Sequence, residues 1–282
     1  MSQVAQYVLR GFFIALLVLS PALILPGVSQ DVALGITLLA LMAAVVVVTE
    51  YSAAYPGLIE FRDAKPYNRA RFTMLSMVVL LTTLLQRDLL LSEDASNFIT
   101  AGALGLGQLM DFPFSPVRLL VLSLPQGLPA EHVANVAAAA AMAYVLAVTG
   151  LIAFTCMTIL GYWPRSNCAF NVWVNLPNFD PTKGVDVVQR LERDAQVNIL
   201  LGIILPFSLP VLLHISTLLV QPMTLETPLA LVWGVSLWAF IPVNLVMRGL
   251  AMYRIAQLVR AQRRRVAEAE DALPLPVRSA YS

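Results

Sequence analysis

The sequence predicts an all-α membrane protein, a polytopic bundle of six transmembrane helices with both chain ends in the cytoplasm. Three observations predict it. Of the 282 residues 59% are hydrophobic and only 12% charged, six long stretches lack charged residues, and the basic residues collect in alternate loops. Soluble domains carry about 25% charged residues, so most of this chain needs lipid as its solvent. In lipid the backbone has to pair its own polar groups, which favours helices.

The six spans follow from apolar length. A helix needs about 20 mostly apolar residues to cross the ~30 Å hydrocarbon layer. The predicted bundle occupies residues 1–262, with spans at about 9–29, 32–50, 72–91, 133–162, 196–220 and 227–250. The first is too long for the core of a signal peptide and no cleavage motif follows it. Only 15 uncharged residues precede Arg87 in the third, so Arg87 either snorkels outward beside Asp88, which we favour, or lies at depth and pairs with another helix.

The basic residues give the orientation. Lys and Arg collect in cytoplasmic loops, and with the N-terminus inside, sixteen of the 18 fall on the cytoplasmic side, all except Arg87 and Arg118. Seven acidic residues fall in the outer loops: Asp31, Asp88, Glu93, Asp94, Asp111, Glu131 and Glu226. An odd number of spans would not keep these charges sorted between the two sides of the membrane. The sorting therefore supports both the even number of spans and the cytoplasmic placement of both chain ends.

The outer loop 88–132 is unusually long and apolar. Its stretches 98–110 and 112–124 are each too short to span. They are predicted to be interfacial helices that cap the bundle, or a re-entrant pair that dips into the membrane. Three glycines in the first stretch would allow the close approach that either arrangement needs: Gly102, Gly105 and Gly107.

The fifth span carries a ridge that recurs every fourth residue: Asn198, Gly202, Pro206, Pro210 and His214. Each proline removes a helical hydrogen bond, and His214 is a titratable side chain inside a span. The ridge predicts either a broken helix that lines a polar path, with His214 as a proton or ligand site, or a kinked packing helix whose histidine hydrogen-bonds a neighbour.

The sixth span is expected to extend the same polar patch through Asn244. The short connection 221–226 makes the fifth and sixth spans antiparallel neighbours. The candidate polar membrane site comprises Asn198, Pro206, Pro210, His214 and Asn244. A protein that used it would be a small-molecule transporter or channel.

The cytoplasmic loop 164–194 is predicted to be structured. Residues 170–179 are extended in pattern, and an amphipathic helix then leads into the fifth span. Three side chains here are expected either to pack under the bundle or to dock another protein: Trp173, Asn175 and Phe179.

The cytoplasmic tail 263–282 is predicted to be basic at first and then disordered. Its arginine cluster orients the last span and is a candidate contact for anionic lipids. The cluster consists of Arg263, Arg264 and Arg265.

Catalytic motifs are missing from the sequence: it has no P-loop, HExxH or GxSxG pattern. Only two histidines and two cysteines occur, without metal-site spacing, so we expect no enzyme activity, cofactor or metal. A net charge of +1 gives no reason to expect nucleic acid.

The sequence therefore predicts an accessory, scaffold or assembly component whose partners are the lipid bilayer and other membrane proteins. Arginine outnumbers lysine sixteen to two, which suggests a GC-rich bacterial genome. We accordingly expect a multi-pass protein of the bacterial inner membrane, with a transporter or channel as the alternative.

Overall fold

A computed structural model describes residues 2–55, 57–91, 97–164, 175–176, 179, 186–216 and 225–271. This part of the chain is helical and contains no strand. Its eight helices are α1 (Gln3–Ile24), α2 (Gln30–Ser52), α3 (Tyr67–Leu91), α4 (Phe98–Leu109), α5 (Pro116–Leu122), α6 (Ala130–Ile159), α7 (Val187–Ser216) and α8 (Pro228–Asp271). All except α4 and α5 are long and apolar enough to cross a membrane, so the six predicted long apolar helices are present.

Local sequence explains where several helices begin and end. The hydroxyl oxygens of Ser2 and Ser29 accept hydrogen bonds from backbone N–H groups in the first turns of α1 and α2. Between these helices Gly27 has a φ of 76°, a conformation that glycine adopts without steric cost. α8 continues well past the predicted end of the sixth span because its charged residues lie where water can solvate them. The predicted disorder of 272–282 falls outside the described residues.

The centre of the bundle is α6, which packs against α3, α4 and α8. A run of small side chains on α6 is fully buried, including Ala138, Ala139, Ala140, Ala141, Ala143 and Ala147. Small residues let helix backbones approach closely, which is the main source of helix association in lipid.

The pair α7 and α8 is packed closely at two glycines. A Cβ on Gly202 would lie 2.6 Å from the carbonyl oxygen of Pro242 and 2.5 Å from Val246. A Cβ on Gly249 would lie 2.7 Å from the carbonyl oxygen of Ala195. Real Cβ atoms do not come this close to backbone, so the contact between these helices requires glycine at both positions.

The α1–α2 hairpin lies at the edge of the bundle. Of the residues of α2 only Ala40 and Tyr51 are buried, and α2 packs chiefly on α1. α1 joins the hairpin to the core through Leu17, which packs with Val79 of α3 and Val232 of α8. Most of α2 therefore faces the surroundings of the protein.

The short helices α4 and α5 lie beside the long ones. α4 packs along α6, where a Cβ on Gly107 would be 3.2 Å from the backbone of Ala138. Gly102 and Gly105 have no atom within 4 Å of a built Cβ. Only one of the three glycines therefore makes a close approach, because the other two lie on the open side of α4. α5 packs against α6 and α7.

Gly202→Ala should destabilise the protein by about 1–3 kcal/mol, because the added methyl group collides with backbone of α8. The control is Gly35→Ala on α2, where nothing lies within 4 Å and alanine is the better helix former. Unfolding in mixed micelles, followed by circular dichroism, measures both. Equal stabilities for the two variants would contradict the packing described here.

Candidate functional site

Polar contacts concentrate at one end of the bundle, which we call the basic end because it holds Arg62, Arg71, Arg248 and Arg263. It is formed by the loop 53–66, the starts of α3 and α7, and the inner half of α8. Its interactions explain how irregular backbone is held where the helices leave the predicted membrane layer.

Four aromatic rings form the apolar floor of the basic end: Phe61, Tyr67, Phe154 and Trp163. Each is at most 1% exposed, and the Phe61 and Tyr67 ring centroids are 4.4 Å apart. The indole N–H of Trp163 donates to the carbonyl oxygen of Ala64 at 2.9 Å. The cluster therefore joins the loop to α3 and α6 by ring packing and one polar bond.

Asn175 holds the same loop from the other side. Its side-chain oxygen accepts from the backbone N–H groups of Asp63 at 2.9 Å and Ala64 at 3.2 Å, and its backbone oxygen accepts from Phe61 at 2.6 Å. Phe179 is also buried, beneath the guanidinium of Arg190. The structure thus places both side chains inside the chain's own fold.

Trp173, the third residue of the predicted docking loop, lies outside the described residues. Partner binding by this loop stays a prediction. Among its three named side chains, Trp173 is the one that the prediction still depends on.

Glu50, at the end of α2, organises the first half of the loop. Its carboxylate accepts hydrogen bonds from the backbone N–H groups of Gly57, Leu58 and Ile59 at 2.8–3.3 Å. Arg62 donates to the carbonyl oxygens of Glu50 and Ala53, which end α2. The guanidinium therefore satisfies carbonyl groups that the helix end leaves unpaired, and the carboxylate satisfies N–H groups of the loop.

The basic end contains one ion pair with two hydrogen bonds among the described residues. Arg248 of α8 donates from Nε and Nη2 to the two carboxylate oxygens of Glu60 at 2.6 and 2.7 Å. The side chains are 27% and 13% exposed. A fork-to-fork pair of this kind fixes orientation as well as distance, so the loop is fastened to α8.

Two further ion pairs fasten α8 to the start of α7. Arg260 donates to Glu192 at 2.6 Å, and Arg263 donates to Asp186 at 2.5 Å. The hydrogen bond from Arg263 lowers the pKa of Asp186 below its usual value. All three arginines of the predicted cluster are exposed, and Arg263 differs from Arg264 and Arg265 in that it forms an ion pair within the described part of the chain.

The predicted lipid contact of these arginines has a geometric requirement. Arg263 lies fifteen residues beyond Arg248, or about 22 Å along the helix axis. Charge attraction to a membrane surface falls off over about 8 Å at physiological salt. The lipid contact stays a prediction, and it requires α8 to lie obliquely to the membrane.

Most residues of the predicted ridge of the fifth span are buried, and Gly202 packs against α8. Asn198, Pro206 and Pro210 are buried, while His214 is exposed. The side-chain amide of Asn198 donates to the carbonyl oxygen of Asp194 in its own helix at 2.7 Å. Asn244 on α8 is partly buried. The first three residues are therefore buried within the bundle, and Gly202 of the same ridge meets α8, whereas His214 is exposed.

A pair of amides between α3 and α6 escaped the sequence analysis. Gln86 and Asn135 exchange two hydrogen bonds, at 2.7 and 3.0 Å, and Gln86 is 2% exposed. Nearby the hydroxyl groups of Thr82 and Ser236 are 3.3 Å apart. In the sequence these residues are one uncharged amide in each of two spans, and a search for charged residues does not detect amides. These bonds fix the rotation of α3 against its neighbours.

Arg248→Met should lower the free energy of unfolding by about 1–3 kcal/mol, because it leaves the largely buried Glu60 carboxylate without its partner. Arg193→Met is the control, because Arg193 lies 3.8 Å from Asp194 and its side chain is 74% exposed. This change should alter the free energy of unfolding by less than about 0.5 kcal/mol. Adding Glu60→Gln to Arg248→Met should recover part of the loss. If the double variant lost as much stability as the two single variants together, Glu60 and Arg248 would not form a direct pair.

The described residues hold no group of three His, Cys, Asp or Glu side chains that could bind a metal ion. Glu60, Asn175 and Arg248 instead make bonds that connect segments of the chain. Comparison with known proteins finds no matching family model, no matching curated protein and no matching solved structure.

Proposed function

We propose that this protein is a non-catalytic accessory, scaffold or assembly subunit of a membrane protein complex in the bacterial inner membrane. In this proposal the basic end faces the cytoplasm, as the sorting of Lys and Arg favours. The observation that carries the proposal is the extension of α8 beyond the rest of the bundle.

The extension is large. α8 has 44 residues and is about 66 Å long at 1.5 Å per residue, more than twice the ~30 Å hydrocarbon thickness. We call its segment 260–269 the arm. Every side chain described in the arm is exposed, and the arm contains four arginines and one glutamate. The exposed side chains of the arm gain no stability from the bundle core, so contact with another molecule is the simplest reason for the arm.

The arm is held in place as well as exposed. The pairs Arg260–Glu192 and Arg263–Asp186 fasten its first turns to α7. Because the base is fixed, Arg264 and Arg265 project in a defined direction, which lowers the entropic cost of binding. Their charge fits an acidic segment of a partner protein.

Reversal of charge on the arm tests the proposal. Arg264→Glu/Arg265→Glu should abolish recovery of a partner that crosslinks to the arm of the purified protein in mild detergent. The matched control is Lys65→Glu/Arg69→Glu, which makes the same change in charge at exposed residues of the same end. Partners retained equally by both variants, or no crosslink to the arm at all, would refute the proposal.

A transporter or channel is the second candidate, favoured by the position of α4. Gly107 contacts Ala138, eight residues into α6, or about 12 Å from the start of that helix. A re-entrant α4–α5 pair is compatible with this contact, and re-entrant segments line transport paths.

For transport, His214→Ala should abolish proton or solute flux into liposomes, since His214 is the titratable member of the predicted site. His132→Ala is the matched control, because His132 lies at the start of α6. Flux that His214→Ala leaves unchanged would remove this residue from any transport mechanism.

A further inference from the structure

The turn between α4 and α5, residues 110–115, exposes two phenylalanine rings. Phe112 is 48% exposed and Phe114 is 83% exposed, and Leu109 at the end of α4 is 72% exposed. The backbone N–H of Ser115 donates to the carbonyl oxygen of Phe112 at 3.1 Å, which closes the turn. A hydrogen-bonded turn therefore presents an apolar surface to the surroundings of the protein.

Phe114 has a backbone conformation that suits glycine. Its φ is 65°, in the left-handed region that is sterically unfavourable for an L side chain. Two other non-glycine residues of the described chain have a positive φ, Phe61 and Leu225, and they are only 1% and 6% exposed. Packing inside the protein offsets the backbone strain of these two residues. Phe114 has no such packing, so a contact outside the chain is the physical reason for its ring.

The turn lies beside two candidate spans and not beyond their ends. Gln86 and Asn135 bond each other five residues from the end of α3 and from the start of α6, so these two helix ends are level. α4 begins with hydrogen bonds to the end of α3, and Gly107 contacts Ala138, eight residues into α6. α4 therefore runs toward the middle of the bundle, and the turn follows at its inner end.

The length of α6 gives the depth of the turn in a membrane. α6 has 30 residues and is about 45 Å long, so a ~30 Å hydrocarbon layer centred on it leaves about 7–8 Å at each end. Ala138, about 12 Å from the start of α6, then lies about 4–5 Å inside the edge of that layer. Apolar side chains of interfacial segments reach about 5–10 Å into the boundary between headgroups and acyl chains. At this depth an exposed phenylalanine meets lipid.

We propose that Phe112 and Phe114 insert into the leaflet opposite to the basic end and attach the α4–α5 pair to it. The rings lie at the boundary between the phospholipid headgroups and the upper part of the acyl chains, where burial of aromatic surface is favourable. Asp111 and Arg118 lie 3.6 Å apart beside the turn, so these two residues bring no net charge to the boundary.

Spin labelling of the full-length protein in phospholipid nanodiscs tests the proposal. In a Cys156→Ser/Cys168→Ser background, a nitroxide on Phe114→Cys should collide with oxygen, which concentrates in lipid, and should be protected from a water-soluble nickel chelate. Leu38→Cys on α2 is the reference for lipid, and Glu131→Cys in the first turn of α6 is the reference for water. Both of these side chains are exposed.

A second variant tests the ring itself, with the nitroxide placed on Leu109→Cys. Phe114→Ser should raise the collision rate with the nickel chelate about threefold, because the turn loses much of the apolar area that holds it in lipid. Phe98→Ser is the matched control, since Phe98 is 91% exposed at the opposite end of α4, and it should leave the rate unchanged.

Three results would overturn the proposal. Access of the nickel chelate to position 114 as great as to position 131 would place the turn in water. Protection of position 114 from both oxygen and nickel would show that protein covers the rings. Equal nickel rates for Phe114→Ser and Phe98→Ser would show that Phe114 does not hold the turn in lipid. The labels lie at the opposite end from the arm of α8, so the outcome is independent of the proposed function.

Discussion

The ion pair between Glu60 and Arg248 fastens the loop between α2 and α3 to α8 through two charge-assisted hydrogen bonds. The loop 53–66 has irregular backbone, and irregular backbone is stable near a membrane only where protein or water pairs its polar groups. Glu50 and Asn175 provide those pairs locally, but neither reaches α8. Glu60 does, through Arg248, so this ion pair sets the position of the loop relative to α8, while Asn175 and the aromatic floor hold the loop from other sides.

The six long helices were predictable because crossing lipid is a local requirement. Each span has to be apolar over its own length, and a window of sequence shows that directly. Their ends were less predictable: α8 runs to Asp271, well beyond the last apolar residue of its span, because a helix continues into water wherever its side chains are solvated. Apolar length therefore finds the membrane part of a helix and not the helix itself.

The candidate site was less predictable because its contacts are distant in sequence. Asn175 bonds the backbone of Asp63, 112 residues away, and no local pattern identifies that partner. The ridge on α7 shows a different limit. A polar path and a packing surface both produce a pattern that repeats every fourth residue, so the sequence alone does not distinguish them. At Gly202 the contact with α8 identifies a packing surface. Gln86 and Asn135 were missed because uncharged amides do not disturb a charge pattern.

The shallow burial of α2 has a consequence for how this protein can change over evolutionary time. The outward-facing side chains of α2 pack against few neighbours, so their individual shapes matter little. Leu38 and Met42, both exposed, can exchange with other apolar residues, whereas Ala40 and the line of α6 alanines cannot enlarge without moving a neighbour. Sequences that share this fold should therefore diverge fastest along α2, and that segment is the poorest guide to recognising them.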